Sequence, residues 1–169
     1  MHQLVEFAKQ AIAAYVKDGA VIQPPLEPAS EMTEKAGVFV SLKIQGQLRG
    51  CIGTFMPTRE NVALEILNNA ISAATKDPRF DPVSPDELDR ITYSVDLLSM
   101  PEKVADIAEL DPKNYGVIVV KGQRKGLLLP DLEGVDTVTQ QLSIAKMKAG
   151  IDAKDDDVEI FRFRVRRFY

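Results

Sequence analysis

Two pairs of short apolar runs, each pair closed over glycine, constrain this chain more than any other feature. The first pair is Gly37-Val38-Phe39-Val40-Ser41-Leu42-Lys43-Ile44 and Gln47-Leu48-Arg49-Gly50-Cys51-Ile52, joined by Gln45-Gly46. Runs of that length around a short glycine-containing turn predict a β-hairpin. The second pair is Gly116-Val117-Ile118-Val119-Val120 and Leu127-Leu128-Leu129, joined through Gly122 and Gly126. Helical spacing fills the segments around them. Leu4, Ala8, Ala11, Ile12 and Tyr15 predict a helix over 4–17, and Val62, Ile66, Ala70 and Ala73 predict one over 59–76. Val138, Leu142 and Ala145 predict a third over 137–149, capped by Gly150. Residues 91–98 alternate Ile91, Tyr93, Val95 and Leu97 with Thr92, Ser94 and Asp96, and residues 158–168 close the chain as a final strand. Helices interleaved with hairpins predict an α+β fold with antiparallel pairing, not a doubly wound parallel sheet.

Prolines mark the connections. Pro24, Pro25 and Pro28 predict an extended loop, as does Asp77-Pro78-Arg79-Phe80-Asp81-Pro82. Ser84-Pro85-Asp86-Glu87 is a capping box with proline at the first helical position, so a short helix starts there. A faint internal echo links the hairpins: Gly37-Val38-x-Val40, Lys43, Gly46 and Gly50 against Gly116-Val117-x-Val119, Lys121, Gly122 and Gly126.

Composition narrows the function classes. At 169 residues and 45% apolar, the chain has the length and content to bury a core. A net charge of -4 argues against a general nucleic-acid or membrane-surface binder. Cys51 is the only cysteine, so no internal disulfide forms, and His2 is the only histidine. A zinc site of His and Cys ligands is therefore not available. His2 lies in a terminus expected to fray, which makes it a poor partner for a Cys–His dyad. The opening residues do not read as a signal peptide, no apolar run approaches a membrane span, and the expected location is the cytoplasm. No cofactor site is evident.

One segment carries plausible chemistry, Leu48-Arg49-Gly50-Cys51-Ile52-Gly53-Thr54. Strand parity sends Leu48 and Ile52 to the core with Gly50, and Arg49, Cys51 and Gly53 to the other face. Arg49 and Cys51 are then about 6.6 Å apart by rise alone, so the guanidinium is expected to favour the thiolate and lower the cysteine pKa. Gly50 and Gly53 are expected to leave room for a ligand, and Thr54 offers a hydroxyl. The plainer reading is a small buried cysteine filling a gap, with Arg49 paired to a carboxylate. Both readings stay open on the residues alone. Arg79, between Asp77 and Asp81, reads either as an anion clamp or as a local ion pair that fixes its loop.

The same segment resembles the signature of the AMMECR domain family. Asp77-Pro78-Arg79-Phe80 fits that family's second motif, and Ser94-Val95-Asp96-Leu97-Leu98-Ser99-Met100-Pro101-Glu102 fits the strand that follows. Gly126-Leu127-Leu128-Leu129-Pro130 and Lys148-Ala149-Gly150 fit later blocks, so the resemblance runs over nearly the whole chain. The stretch from Leu129 to Val138 is most similar to the bacterial branch tied to AmmeMemoRadiSam systems. The resemblance implies one AMMECR-type domain over 1–169 with two lobes, each built on an antiparallel sheet with flanking helices, and a cleft between them. It places the N- and C-terminal parts in the larger lobe. It implies association with a Memo-type protein and a radical SAM protein, but no established reaction. Ala145 stands where eukaryotic relatives are expected to carry a second cysteine, which puts a two-cysteine mechanism in doubt.

Two functions follow as expectations. One is an accessory or ligand-binding protein with Arg49, Gly50, Gly53, Thr54 and Arg79 around Cys51, its ligand an anionic small molecule. The other is a thiol-dependent enzyme with Cys51 as nucleophile or redox thiolate. The basic and aromatic C-terminus (Phe161-Arg162-Phe163-Arg164-Val165-Arg166) splits by parity into an apolar and a solvated basic face, unlike a single-strand binder. Asp155-Asp156-Asp157 reads as a solvated turn, and Gly122-Gln123-Arg124-Lys125-Gly126 as a hairpin turn without a phosphate-loop pattern.

Overall fold

The computed structural model describes residues 1–169 and divides into two compact units, Met1–Leu98 with Arg166–Tyr169, and Ser99–Val165. Each unit holds one four-stranded sheet.

In the first unit the sheet order is β2-β1-β3-β8, formed by β1 (Gly37–Ile44), β2 (Gln47–Thr54), β3 (Ile91–Leu98) and β8 (Val165–Phe168). Helices α1 (Gln3–Asp18) and α2 (Val62–Thr75) supply Leu4, Ala8, Ile12, Ile66 and Ala70 to a core shared with Val38, Val40, Leu42 and Val95. Alternate residues of β1 and β3 enter that core because successive strand side chains face opposite ways. His2 does not fray: its Nδ1 accepts the Leu4 amide as helix N-cap, and its own amide donates to the Tyr169 carbonyl. The capping box at Ser84 forms as expected, on a 3-10 turn over Pro85–Arg90.

In the second unit the order is β4-β7-β5-β6, formed by β4 (Glu102–Lys103), β5 (Gly116–Lys121), β6 (Arg124–Leu128) and β7 (Glu159–Phe163), with α3 (Val138–Ala149) packed on it. Val117, Val119 and Leu128 meet Leu142, Ala145 and Ile151 in a separate core. The short strand β4 is absent from any apolar pattern; it forms where Glu102 and Lys103 pair with Arg162 and Phe161.

The two units share one topology. Each is a hairpin, a helix and a third strand beside the hairpin's first strand, with a fourth strand taken from the segment after the other unit's third strand. That exchange corrects the expectation of one C-terminal strand. Residues 158–168 break at Arg164, with β7 in one sheet and β8 in the other. The basic run is thereby dispersed: Arg162 pairs with Glu102, Arg164 donates to the Tyr115 hydroxyl, Arg166 pairs with Glu34 and Arg167 with Asp96. In the acidic run Asp155 pairs with Lys121, while Asp156 and Asp157 stay exposed as expected of a solvated segment.

The sequence echo is half structural. Gly50 lies opposite Leu42 and Gly126 opposite Val119. A Cβ on Gly50 would sit 2.3 Å from the Ala73 carbonyl oxygen of α2, and one on Gly126 would sit 2.0 Å from the Ala145 carbonyl oxygen of α3. Both glycines let a helix backbone approach its sheet. Counting back from those anchors, however, Gly116 matches Phe39, not Gly37.

Candidate functional site

The position of Cys51 follows from its hairpin. Gln45 and Gly46 both have positive φ (52° and 78°), the requirement of a two-residue type I′ turn. The register then slips between Leu42 and Lys43: Lys43 faces Leu48, Leu42 faces Gly50, and Arg49 is the extra, bulged residue. The bulge overturns simple parity. Leu48 comes out on the side of Lys43 and is 40% exposed, not in the core as expected. Beyond the bulge Ile52 packs against the core, while Cys51 lies opposite Ser41 with Sγ and Oγ 3.2 Å apart. Ser94 continues the same row on β3.

Cys51 is also an edge residue, since β2 is the last strand of its sheet. Antiparallel ladders alternate hydrogen-bonded and non-bonded pairs, and at a non-bonded pair N–H and C=O point outward. At Cys51 those outward groups are taken by side chains. The Asp77 carboxylate accepts the Cys51 amide at 3.0 Å, and Arg79 Nη2 donates to the Cys51 carbonyl at 3.2 Å. Asp77 and Arg79 hold each other through Nε–Oδ1 at 3.0 Å and Nη2–Oδ2 at 2.8 Å. The pair thus offers β2 one acceptor and one donor, as a neighbouring strand would, and covers its edge. Hydrogen bonds from Arg79, reinforced by the Cys51 amide against the opposing effect of burial, bring the Asp77 pKa down to about 2. Arg79 is raised in turn, first by its hydrogen bond to Asp77. Its side chain stays 55% exposed.

Arg49 is engaged elsewhere. Its Nε and Nη2 bind the two oxygens of Glu87 at 2.9 and 3.1 Å, and Glu87 also accepts the Ser84 amide at 2.8 Å. Glu87 falls to a pKa of about 2, principally through Arg49. The guanidinium carbons of Arg49 and Arg79 lie 5.9 and 5.5 Å from the Phe80 ring centre, so one aromatic ring accompanies both cations.

This geometry corrects the expected thiol chemistry. Burial pushes the Cys51 thiol up; the Ser41 hydrogen bond and the charge of Arg79 oppose the rise, and Asp96 and Asp77 add to it. The cation beside the sulfur is Arg79, not Arg49. The glycines do not open a cavity: Gly50 meets α2, and a Cβ on Gly53 would lie 2.2 Å from the Phe39 ring. Thr54 gives its hydroxyl to Glu65 at 2.9 Å and accepts from Asn69 at 3.2 Å. Glu65, fully buried, also takes the Thr58 amide and hydroxyl and the Arg59 amide, which straps residues 55–61 to α2. The structure therefore gathers Cys51 and Arg79, sets Arg49 alongside through Phe80, and gives Gly50, Gly53 and Thr54 structural contacts. Ser41, Asp77 and Glu87 enter the site without having been singled out. The DPRF motif and the capping box marked two of them, but not their long-range partners. No group of three or more His, Cys, Asp or Glu is placed to hold a metal ion, and no helix is long and apolar enough to cross a membrane.

Comparison with known proteins finds uncharacterised relatives of the chain. The AMMECR1 family profile matches residues 5–168. A Thermotoga maritima protein is 62% identical over 169 residues, covering 99% of this chain and 97% of that protein. A Clostridium acetobutylicum protein is 52% identical over 165 residues, covering 96% of this chain but 35% of that longer protein. The crystal structure of an uncharacterised protein from Pyrococcus horikoshii superposes with a TM-score of 0.90 at 33% identity, over 97% of this chain and 88% of that one.

Proposed function

The chain belongs to the AMMECR1 family, and from that premise we propose that it is an accessory binding protein, not an independent thiol enzyme. The observation that carries this reading is the employment of the groups around Cys51. A thiol nucleophile at neutral pH needs a depressed pKa or an adjacent base. Here burial raises the thiol, its hydrogen-bonding side-chain neighbour is the Ser41 hydroxyl, and Asp77 is already bound to Arg79 and to the Cys51 amide. What the site offers a ligand is recognition. Arg79 is held through Nε and Nη2, which leaves Nη1 and the partly covered Phe80 ring beside it. A guanidinium fixed in orientation by its own carboxylate fits a single carboxylate or similar anionic group. Its charge is already half compensated, so a multiply charged ligand fits less well. On this reading the partners are a Memo-type protein and a radical SAM protein, to which the chain presents a small anionic molecule or an anionic segment.

Alkylation of Cys51 by iodoacetamide across pH separates the two functions. The binding reading expects slow reaction whose midpoint lies at or above the ordinary cysteine value. A midpoint near neutrality overturns it in favour of the thiol enzyme. Co-purification with either proposed partner at micromolar concentration tests the association, and Arg79→Ala is expected to weaken any complex that uses this surface.

A further inference from the structure

Arg164 stands apart from the other arginines of the C-terminal run. Arg162, Arg166 and Arg167 each meet a carboxylate, whereas Arg164 meets a phenol: its Nη2 donates to the Tyr115 hydroxyl at 2.7 Å. A phenol oxygen orients a guanidinium without neutralising it. Arg162 lies against the same ring. The guanidinium carbons of Arg162 and Arg164 are 4.4 and 4.6 Å from the Tyr115 ring centre. They are therefore at most about 9 Å apart, inside the screening length of about 10 Å at 0.1 M salt. Arg162 is only loosely compensated. Both of its contacts to Glu102 are 3.3 Å long, and that carboxylate is 68% exposed. Charge-assisted hydrogen bonds are ordinarily shorter, about 2.7–2.9 Å.

The ring that gathers these cations is held in place. The Tyr115 amide donates to the Asp111 carbonyl at 2.8 Å, and the Tyr115 carbonyl accepts Nε2 of the fully buried Gln141 at 2.8 Å. Arg164 is anchored as firmly: its amide donates to Ser99 Oγ at 2.7 Å, and its carbonyl accepts the Ser99 amide at 2.9 Å. Phenol and guanidinium thus lose little further freedom when a ligand arrives.

We propose that Arg164, Arg162 and the Tyr115 hydroxyl form a binding site for a phosphate monoester carried by a small molecule. Three points choose this ligand. Nη2 of Arg164 gives one of its two protons to the phenol, so one fork edge of the exposed guanidinium stays whole for two phosphate oxygens. The Tyr115 hydroxyl accepts from Arg164 and keeps its own proton for a third oxygen. The charge also suits a dianion, because Arg164 is uncompensated and Arg162 is shared with a surface carboxylate that phosphate can displace. Arg79 differs on this point, since its own carboxylate leaves it suited to a single negative charge. The site lies wholly in the second unit and does not depend on the reading of Cys51.

The test titrates the full chain with glycerol 3-phosphate at low salt and follows backbone amide and arginine Nε–H signals by NMR. Saturable shifts are expected at the Arg162 and Arg164 side chains and at the Tyr115 and Ser99 amides, with affinity about tenfold or more above that for acetate. Arg164→Gln is expected to weaken binding about tenfold and Tyr115→Phe about threefold. Glu102→Gln, which frees Arg162, is expected to tighten it about threefold. That gain is a readout that a merely structural contact between arginine and tyrosine would not give. Arg79→Ala is expected to leave binding unchanged, which separates this site from the one beside Cys51. Absence of saturation at millimolar ligand, equal affinity for acetate, or unchanged or weaker binding by Glu102→Gln would overturn the proposal. Tighter binding to vesicles containing phosphatidic acid than to glycerol 3-phosphate would overturn it too, in favour of a lipid headgroup.

Discussion

Two units of one topology differ in the row of side chains that crosses their sheets beside the helix-facing glycine. In the first unit the row is Cys51, Ser41 and Ser94; in the second the matching row is Leu127, Ile118 and Phe161. The helix-facing glycines and the strand orders correspond, although the hairpin turns differ, so the fold itself does not require a polar row. Where one copy of a scaffold fills a row with apolar side chains, polar residues at the same place in the other copy need a reason outside folding. The edges differ in the same sense. An anchored carboxylate–guanidinium pair covers β2 at Cys51, whereas at Leu127 of β6 the carbonyl accepts the Lys148 ammonium.

The largest expected effect tests the correspondence itself. Gly50→Ala and Gly126→Ala each drive a Cβ into a helix carbonyl that cannot move aside, so each should cost about 3 kcal/mol or more. Urea denaturation measures this, and tolerance at one glycine but not the other would break the equivalence of the two units. Next comes the contrast between edges. Asp77→Ala strips the Cys51 amide and Arg79 of their partner and should cost about 2 kcal/mol, whereas Lys148→Ala should stay within about 0.5 kcal/mol. Equal costs would mean that the two edges are not managed differently.

Acid sharpens the same contrast. Asp77 and Glu87 both have folded pKa values of about 2, below their ordinary values of 3.8 and 4.5. A depressed carboxylate stabilises the fold fully above its ordinary pKa and loses that contribution as pH falls through the folded value. Stability should therefore decline from pH about 4.5 towards about 2, by at most about 2 kcal/mol for Asp77. The carboxylates lowered in the second unit, Glu109, Asp111 and Asp155, are more exposed and should contribute less. Hydrogen exchange at pH 3 should accordingly open β2 before β6, and Asp77→Ala should flatten the acid limb. The smallest effect is expected from Cys51→Ala, about 1 kcal/mol or less, because the change removes one small side-chain atom whose hydrogen-bonding contact is one hydroxyl.

Local patterns in the sequence determined a good deal. Period-two and helical spacings located the three long helices and both hairpins, although the second hairpin turns on Gly122-Gln123 alone and Arg124, Lys125 and Gly126, read as turn, belong to β6. The capping box at Ser84 and the Gly150 cap fixed element ends through nearest-neighbour chemistry. These features are legible because each depends on residues within one turn or one strand. Only the tertiary structure decided the rest. Leu48 faces outward because a bulge at Arg49 shifts the register, and a bulge leaves no mark in an apolar pattern. The run 158–168 splits at Arg164 because its two ends serve different sheets. Arg49 belongs to Glu87, 38 residues away, and Asp77 to the Cys51 amide, 26 residues away. Those pairings are set by the folding of α2 and its following loop along the edge of β2, not by spacing along the chain. The sequence thus named Cys51 and Arg79 as residues with chemistry to offer. Tertiary packing decided that the thiol is raised instead of activated, and that the cation beside it is Arg79.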